Sequence, residues 1–201
     1  IARVDARVHA TPAQLPASAF RSKPDPAEDE YRRVTVTGRL LHAQEVAVYA
    51  TTERGPGYWI MTPLVTADGT VWINRGYVDN AHRGRETRAR HDESATVSVT
   101  GLLRMPEQHG VFLRANVPEE DRWYTRAPAE FSAARDVDGA VAPFFIDAQD
   151  RIDTGNWPVP GLTMVQFRNN HLSYALTWFG MALLGLLATG FVLWSEFRRK
   201  R

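Results

Sequence analysis

Six histidines, two lysines and no cysteine set the chemistry open to this 201-residue chain. Without cysteine there is no disulfide, thiolate nucleophile or thiolate metal ligand. With only Lys23 and Lys200, nearly all positive charge is arginine, which argues against a lysine Schiff-base enzyme. His171 is the sharpest single candidate. It follows Asn169 and Asn170, residues suited to a helix N-cap, and the residues after it read as a long helix. On that helix Tyr174, Ala175 and Trp178 share a face with it at i+3, i+4 and i+7. A neutral imidazole there can ligate a haem iron, with Tyr174 and Trp178 packing on the porphyrin. The same residues also suit a polar anchor at a membrane interface.

The other histidines, His9, His42, His82, His91 and His109, stand at no metal-ligand spacing and are expected at the surface. Asp147, Asp150 and Asp153 recur every third residue across an expected strand end, which reads as a solvated loop rather than a carboxylate cluster. Arg75 lies near a strand end between Trp72 and Tyr77. Its planar fork can pair with a buried carboxylate, or bind a partner or a propionate. No phosphate loop, dinucleotide fingerprint or nucleophile elbow is present, and a net charge of +1 offers no field for nucleic acid.

The elements that must position these residues follow from pattern. Ala175–Trp194 is 20 residues without a charge, enough for a bilayer core of about 30 Å. Tyr174 and Trp178 at one end and Trp194 and Phe197 at the other match an interfacial aromatic belt. Arg198–Arg201 is wholly basic, so the positive-inside rule places that tail in the cytoplasm or matrix and the preceding residues on the outer side. A large outer domain with no visible leader leads to the expectation of a preceding segment, most simply a first transmembrane helix.

Residues 1–30 read as a connection, with Thr11–Asp29 extended and proline-rich. Residues 31–168 read as a β-domain. Val34–Val36, Glu45–Ala50, Gly57–Val65, Thr70–Val78, Pro143–Ala148 and Leu162–Phe167 are strand-like, and Asp68-Gly69 marks a hairpin. The pattern V-x-V-T-G-x-L occurs at Val34 and again at Val97, which suggests two strands in related places of one curved sheet. Ala127–Val137 is a short helix, and Ala81–Glu93 a charged, solvated loop. The expected fold is mainly β, an antiparallel small barrel or sandwich with one short helix. A transmembrane helix over 169–197 and a basic tail over 198–201 follow it.

Taken in order, these residues resemble the surfeit locus protein 1 family. The matching segments are Val36-Thr-Gly-Arg-Leu40, Gly57-Tyr-Trp-Ile-Met-Thr-Pro-Leu64, Ile73-Asn-Arg-Gly-Tyr-Val78, Arg122-Trp-Tyr124, Phe145-Ile-Asp147 and Asn169-Asn-His-Leu-Ser-Tyr-Ala-Leu-Thr-Trp-Phe179. Tyr77 stands where the family has Trp, and Val159–Leu162 is less glycine-rich than its counterpart. The resemblance implies two transmembrane helices flanking an outer domain, in a bacterial plasma membrane with that domain periplasmic, or in the mitochondrial inner membrane. It implies a non-enzymatic assembly factor for cytochrome c oxidase that brings haem a to subunit I and works beside haem A synthase within the lipid bilayer. His171 then takes the position of the proposed haem ligand, with Tyr174 and Trp178 beside it, while Arg75, Gly57 and Trp123 become partner or structural positions. The alternative is a scaffold that binds assembly partners without haem.

Overall fold

The computed structural model describes residues 2–88, 95–107, 114–152, 155–162 and 171–199, with 2, 3, 5, 171–173, 191–193 and 195–197 described by backbone alone. It divides into two compact units, Ile1–Thr163 and Met164–Arg201.

The first unit is mainly β. A short helix α1 (Ala2–Val8) leads to β1 (Ala13–Gln14), a 3₁₀ turn at Ala17–Phe20 and α2 (Pro26–Asp29). Six longer strands follow: β2 (Arg33–Leu40), β3 (Val46–Thr52), β4 (Gly55–Val65), β5 (Thr70–Val78), β6 (Thr96–Arg104) and β7 (Val141–Ala148). Helix α3 (Pro128–Ala134) precedes β7. The stretch expected to be a plain connection is part of the fold. There β1 pairs with β2, and Leu15 and Phe20 are buried in the core.

The sheet runs β1-β2-β6-β7-β5-β4-β3, and β2 also pairs with β4 through Arg39↔Val65 and Leu40↔Leu64, so the pairings return on themselves. The repeated pattern explains part of this curvature. Its two copies are partners, running antiparallel with Val36 opposite Val99 and Thr35 opposite Thr100. Each copy's glycine sits where a third strand's backbone crosses: the carbonyl of Val65 lies against Gly38 and that of Asp147 against Gly101.

The expected all-antiparallel sheet is corrected in two places: β1–β2 and β5–β7 are parallel. Between β5 and β7 the chain passes through β6 and α3, a crossover long enough to bring two strands side by side in one direction. Being central, β5 is buried at every position and β7 at most. One face of the pair joins a core with Val34, Leu40, Val71, Ile73, Phe144 and Ile146. The other packs Trp72 and Phe145 with Val48, Met61, Trp123 and Phe131, the last brought in by α3. Trp72 and Trp123 each set an edge against the Phe131 ring at 5.1 Å, and Trp72 Nε1 donates to Ser132 Oγ at 2.9 Å.

The hairpin joining β4 and β5 turns at Asp68-Gly69, with Thr66 Oγ1 accepting from the Asp68 and Gly69 amides. The expected strand at Leu162–Phe167 lies outside the described residues beyond Leu162.

The second unit carries α4 (His171–Arg199), 29 residues long. Among the described residues no helix is long and apolar enough to cross a membrane.

Candidate functional site

Three constellations carry the chemistry, two inside the β unit and one on α4. The first two are built on consecutive residues of β5. Strand alternation turns Asn74 and Arg75 to opposite faces.

Asn74 is register partner to Asp147 on β7, and its Nδ2 donates to Asp147 Oδ1 at 2.8 Å. Asp147 is buried rather than in a solvated loop. Its Oδ2 accepts from Arg104 Nη1 at 2.9 Å and its Oδ1 from Arg126 Nη1 at 3.2 Å. Each arginine is braced by a second acid: Arg104 by Glu30 at 2.8 Å, and Arg126 by Glu107 at 2.5 Å. Burial alone depresses the Arg104 guanidinium, but the charges of Asp147 and Glu30 outweigh it and raise its pKa above the ordinary arginine value. Asp150 is exposed, as expected, and Asp153 lies outside the described residues.

Arg75 is the second hub. Its side chain is 1% exposed, and Nη1 reaches Glu45 Oε2 at 3.2 Å, Thr62 Oγ1 at 3.4 Å and His42 Nδ1 at 3.0 Å. The other oxygen of Glu45 takes Arg88 Nη2, whose Nη1 caps the carbonyls of His82 and Arg83 at 2.8 Å. Two expectations are corrected here. His42 is buried, because its Nδ1 packs on the Arg75 guanidinium, and Arg88 is buried, because the charged loop after β5 folds back onto Glu45. His82 is half-buried rather than at the surface. It stacks on Trp157 with centroids 4.6 Å apart and bonds Asp79 at 2.6 Å. That contact, with the His82 side chain as donor, holds the Asp79 carboxyl below the ordinary carboxylate range. His9 is exposed, while His91 and His109 lie outside the described residues.

The Asn-Arg-Gly-Tyr motif also holds the segment that leads towards α4 in the sequence. Gly76 adopts φ +131°, and a Cβ there would fall 2.3 Å from the Val159 carbonyl oxygen. This close approach lets Tyr77 and Val159 exchange backbone hydrogen bonds of 2.9 Å. The Tyr77 ring covers Gly57, and its hydroxyl donates to the Pro56 carbonyl at 3.1 Å. Trp123 is buried, its Nε1 donating to Asp121 Oδ1 at 2.7 Å. Arg75, Gly57 and Trp123 thus all belong to the β unit.

The third constellation is α4. His171 begins the helix, and its side chain lies outside the described residues. Tyr174 and Trp178 are 68% and 62% exposed, one helical turn apart. Leu176, Phe179, Met181, Leu183, Leu184, Leu186 and Leu187 are exposed as well, so large apolar side chains face outward all round the helix. The hydroxyls of Thr177 and Thr189 donate to carbonyls of the preceding turn at 2.8 Å. At the far end the Arg198 guanidinium lies 4.4 Å over the Trp194 ring.

Sequence reasoning found α4 and Arg75 but missed Asp147, His42, Glu45 and Arg88. An acid closing the apolar run Pro143–Ala148 was the available signal for Asp147; Glu45 carried none.

A family model described as the SURF1 family matches residues 1–183, the span that holds both buried hubs and the start of α4. The chain belongs to the SURF1 family. Mouse surfeit locus protein 1 is 31% identical over the whole chain, and the human protein of that name 30% identical over 99% of it. A SURF1-like protein of Monosiga brevicollis is 31% identical, again over the whole chain. The chain spans 67%, 68% and 77% of these three SURF1 relatives.

Proposed function

We propose that this SURF1-family chain is a membrane-anchored, non-enzymatic assembly factor for cytochrome c oxidase that brings haem a to subunit I alongside haem A synthase. The observation that carries the reading is α4. Its described large apolar side chains are 54–74% exposed, its threonine hydroxyls are satisfied within the helix, and it ends in Arg198 and Arg199. An all-round apolar surface needs lipid or other helices to cover it. The charge-free run Ala175–Trp194 is long enough to span a bilayer, and the basic end sets it cytoplasmic or matrix-side. The β unit is then periplasmic in a bacterium or in the intermembrane space of a mitochondrion.

The residues present suit a porphyrin. His171 opens α4, and Tyr174 and Trp178 follow on the same stripe with exposed rings. When bound, haem a supplies an iron that takes an axial imidazole. His171 would hold that iron, while Tyr174 and Trp178 would cover the ring and exclude water.

Full-length protein co-expressed with haem A synthase is expected to carry a Soret band that His171→Ala removes, with the folded β unit unchanged by circular dichroism. Equal haem stoichiometry in the variant would refute the ligand assignment. The alternative is a scaffold that binds assembly partners without haem. It draws on the half-buried tyrosine and exposed arginine side chains around β3, and predicts no Soret band in the wild type either.

A further inference from the structure

A continuous row of five side chains crosses the outer face of the β unit at β3, the last strand in the sheet order. Tyr49 on β3 faces its register partner Tyr58 on β4, rings edge-on at 6.0 Å. Tyr124 follows, 6.5 Å from Tyr49. An arginine closes each end: the guanidinium of Arg83 lies 4.7 Å from the Tyr58 ring centre, and that of Arg114 lies 5.5 Å from that of Tyr124. The tyrosines are half-buried and both arginines are exposed.

The row is fixed from behind. The Tyr49 amide donates to the Trp123 carbonyl at 2.8 Å, and the Tyr124 amide to Asn116 Oδ1 at 2.7 Å. Anchored rings lose little freedom on binding. The neighbouring acids are mostly spent. Glu120 pairs with Arg122, Asp121 with Arg135, and Glu130 accepts from Asn116. Glu119 is exposed, one acid for the two arginines Arg83 and Arg114. Among the described residues neither of those arginines is in an ion pair, and Arg83 bonds only a backbone carbonyl at 3.4 Å.

We infer that this row docks an extended acidic segment of a partner polypeptide. Carboxylates of the partner pair with Arg83 and Arg114, and its peptide planes and apolar groups lie on the three rings. Tyrosine and arginine are the side chains that concentrate binding energy at protein interfaces. Two arginines separated by three rings do not form the cluster of four to eight basic residues that anionic lipid favours. This assignment concerns the β unit alone and does not rest on haem binding.

Two measurements test it. In detergent, the full chain should bind a labelled peptide of alternating Glu and Ala more tightly than one of Lys and Ala. The R83E/R114E double variant should weaken the acidic peptide about tenfold or more, and Arg122→Glu, at an arginine outside the row, much less. Equal affinity for the two peptides, or no change in the double variant with its melting transition intact, would overturn the inference. In native membranes, a benzophenone amino acid replacing Tyr124 should crosslink to acidic polypeptide segments, and R83E/R114E should abolish the adduct. Adducts confined to lipid would overturn it too.

Discussion

The centre of the sheet and helix α4 invert the usual arrangement in opposite ways. Around β5 and β7, charged side chains are inside: Arg75, Arg88 and Asp147 are buried, each with partners from distant parts of the chain. On α4, apolar side chains are outside, with Leu184 and Leu186 67% and 72% exposed. The buried charges at the centre of the sheet are therefore paired from within the β unit. The apolar surface of α4 leaves its transfer energy to be collected elsewhere, at roughly 25 cal/mol per Å² covered. A core that pairs its buried charges internally is built to hold a shape; a helix that leaves apolar area bare is built to be covered.

The sharpest way to break the contrast is to remove the central acid. Asp147→Ala leaves two partly buried guanidiniums short of a carboxylate and should destabilise the β unit by about 3–5 kcal/mol. Urea denaturation followed by tryptophan fluorescence would read this, and membrane association should be unaltered. A loss under about 1 kcal/mol would mean that Glu30 and Glu107 suffice.

The mirror experiment charges the helix. Leu184→Arg should cost about 2.5–3.5 kcal/mol of insertion, shifting protein into the alkaline-carbonate supernatant while the β unit melts as before. If the variant instead aggregates from a destabilised β unit, the two regions are not energetically separate.

The smallest effect concerns pH. The His82 contact depresses the Asp79 carboxyl, so its stabilisation is present above the ordinary carboxylate pKa and fades as pH falls through the lowered value. In acid, wild type and Asp79→Asn should converge in melting temperature, and above the ordinary carboxylate range the wild type should be slightly the more stable. A difference that grows towards low pH would reverse the assigned sign.

How much was legible in the sequence divides along the same line as the contrast. Alternation in Val34–Val36 and Glu45–Ala50, the Asp68-Gly69 turn and the apolar run from Ala175 depend on neighbours a few residues away, and each corresponds to a described element. The repeated V-x-V-T-G-x-L pattern foretold two related strands, and the pair proved to be direct partners. Thr70–Val78 was recognisable only as a strand. Its burial on both faces erases the alternation that would reveal which side each residue serves.

Local chemistry, then, belongs to the sequence: turns, strand alternation, the charge-free helix and its basic end, and the motifs that mark the SURF1 family. Tertiary structure alone decided where the charges go. Arg75 meets Glu45 across 30 residues of chain, Arg104 meets Asp147 across 43 and Asn74 meets Asp147 across 73. An arginine or aspartate is equally at ease in water, so nothing in its immediate neighbours announces burial. Only the curling of β2 onto β4 and the parallel docking of β7 on β5 bring opposite charges close enough to offset the loss of water.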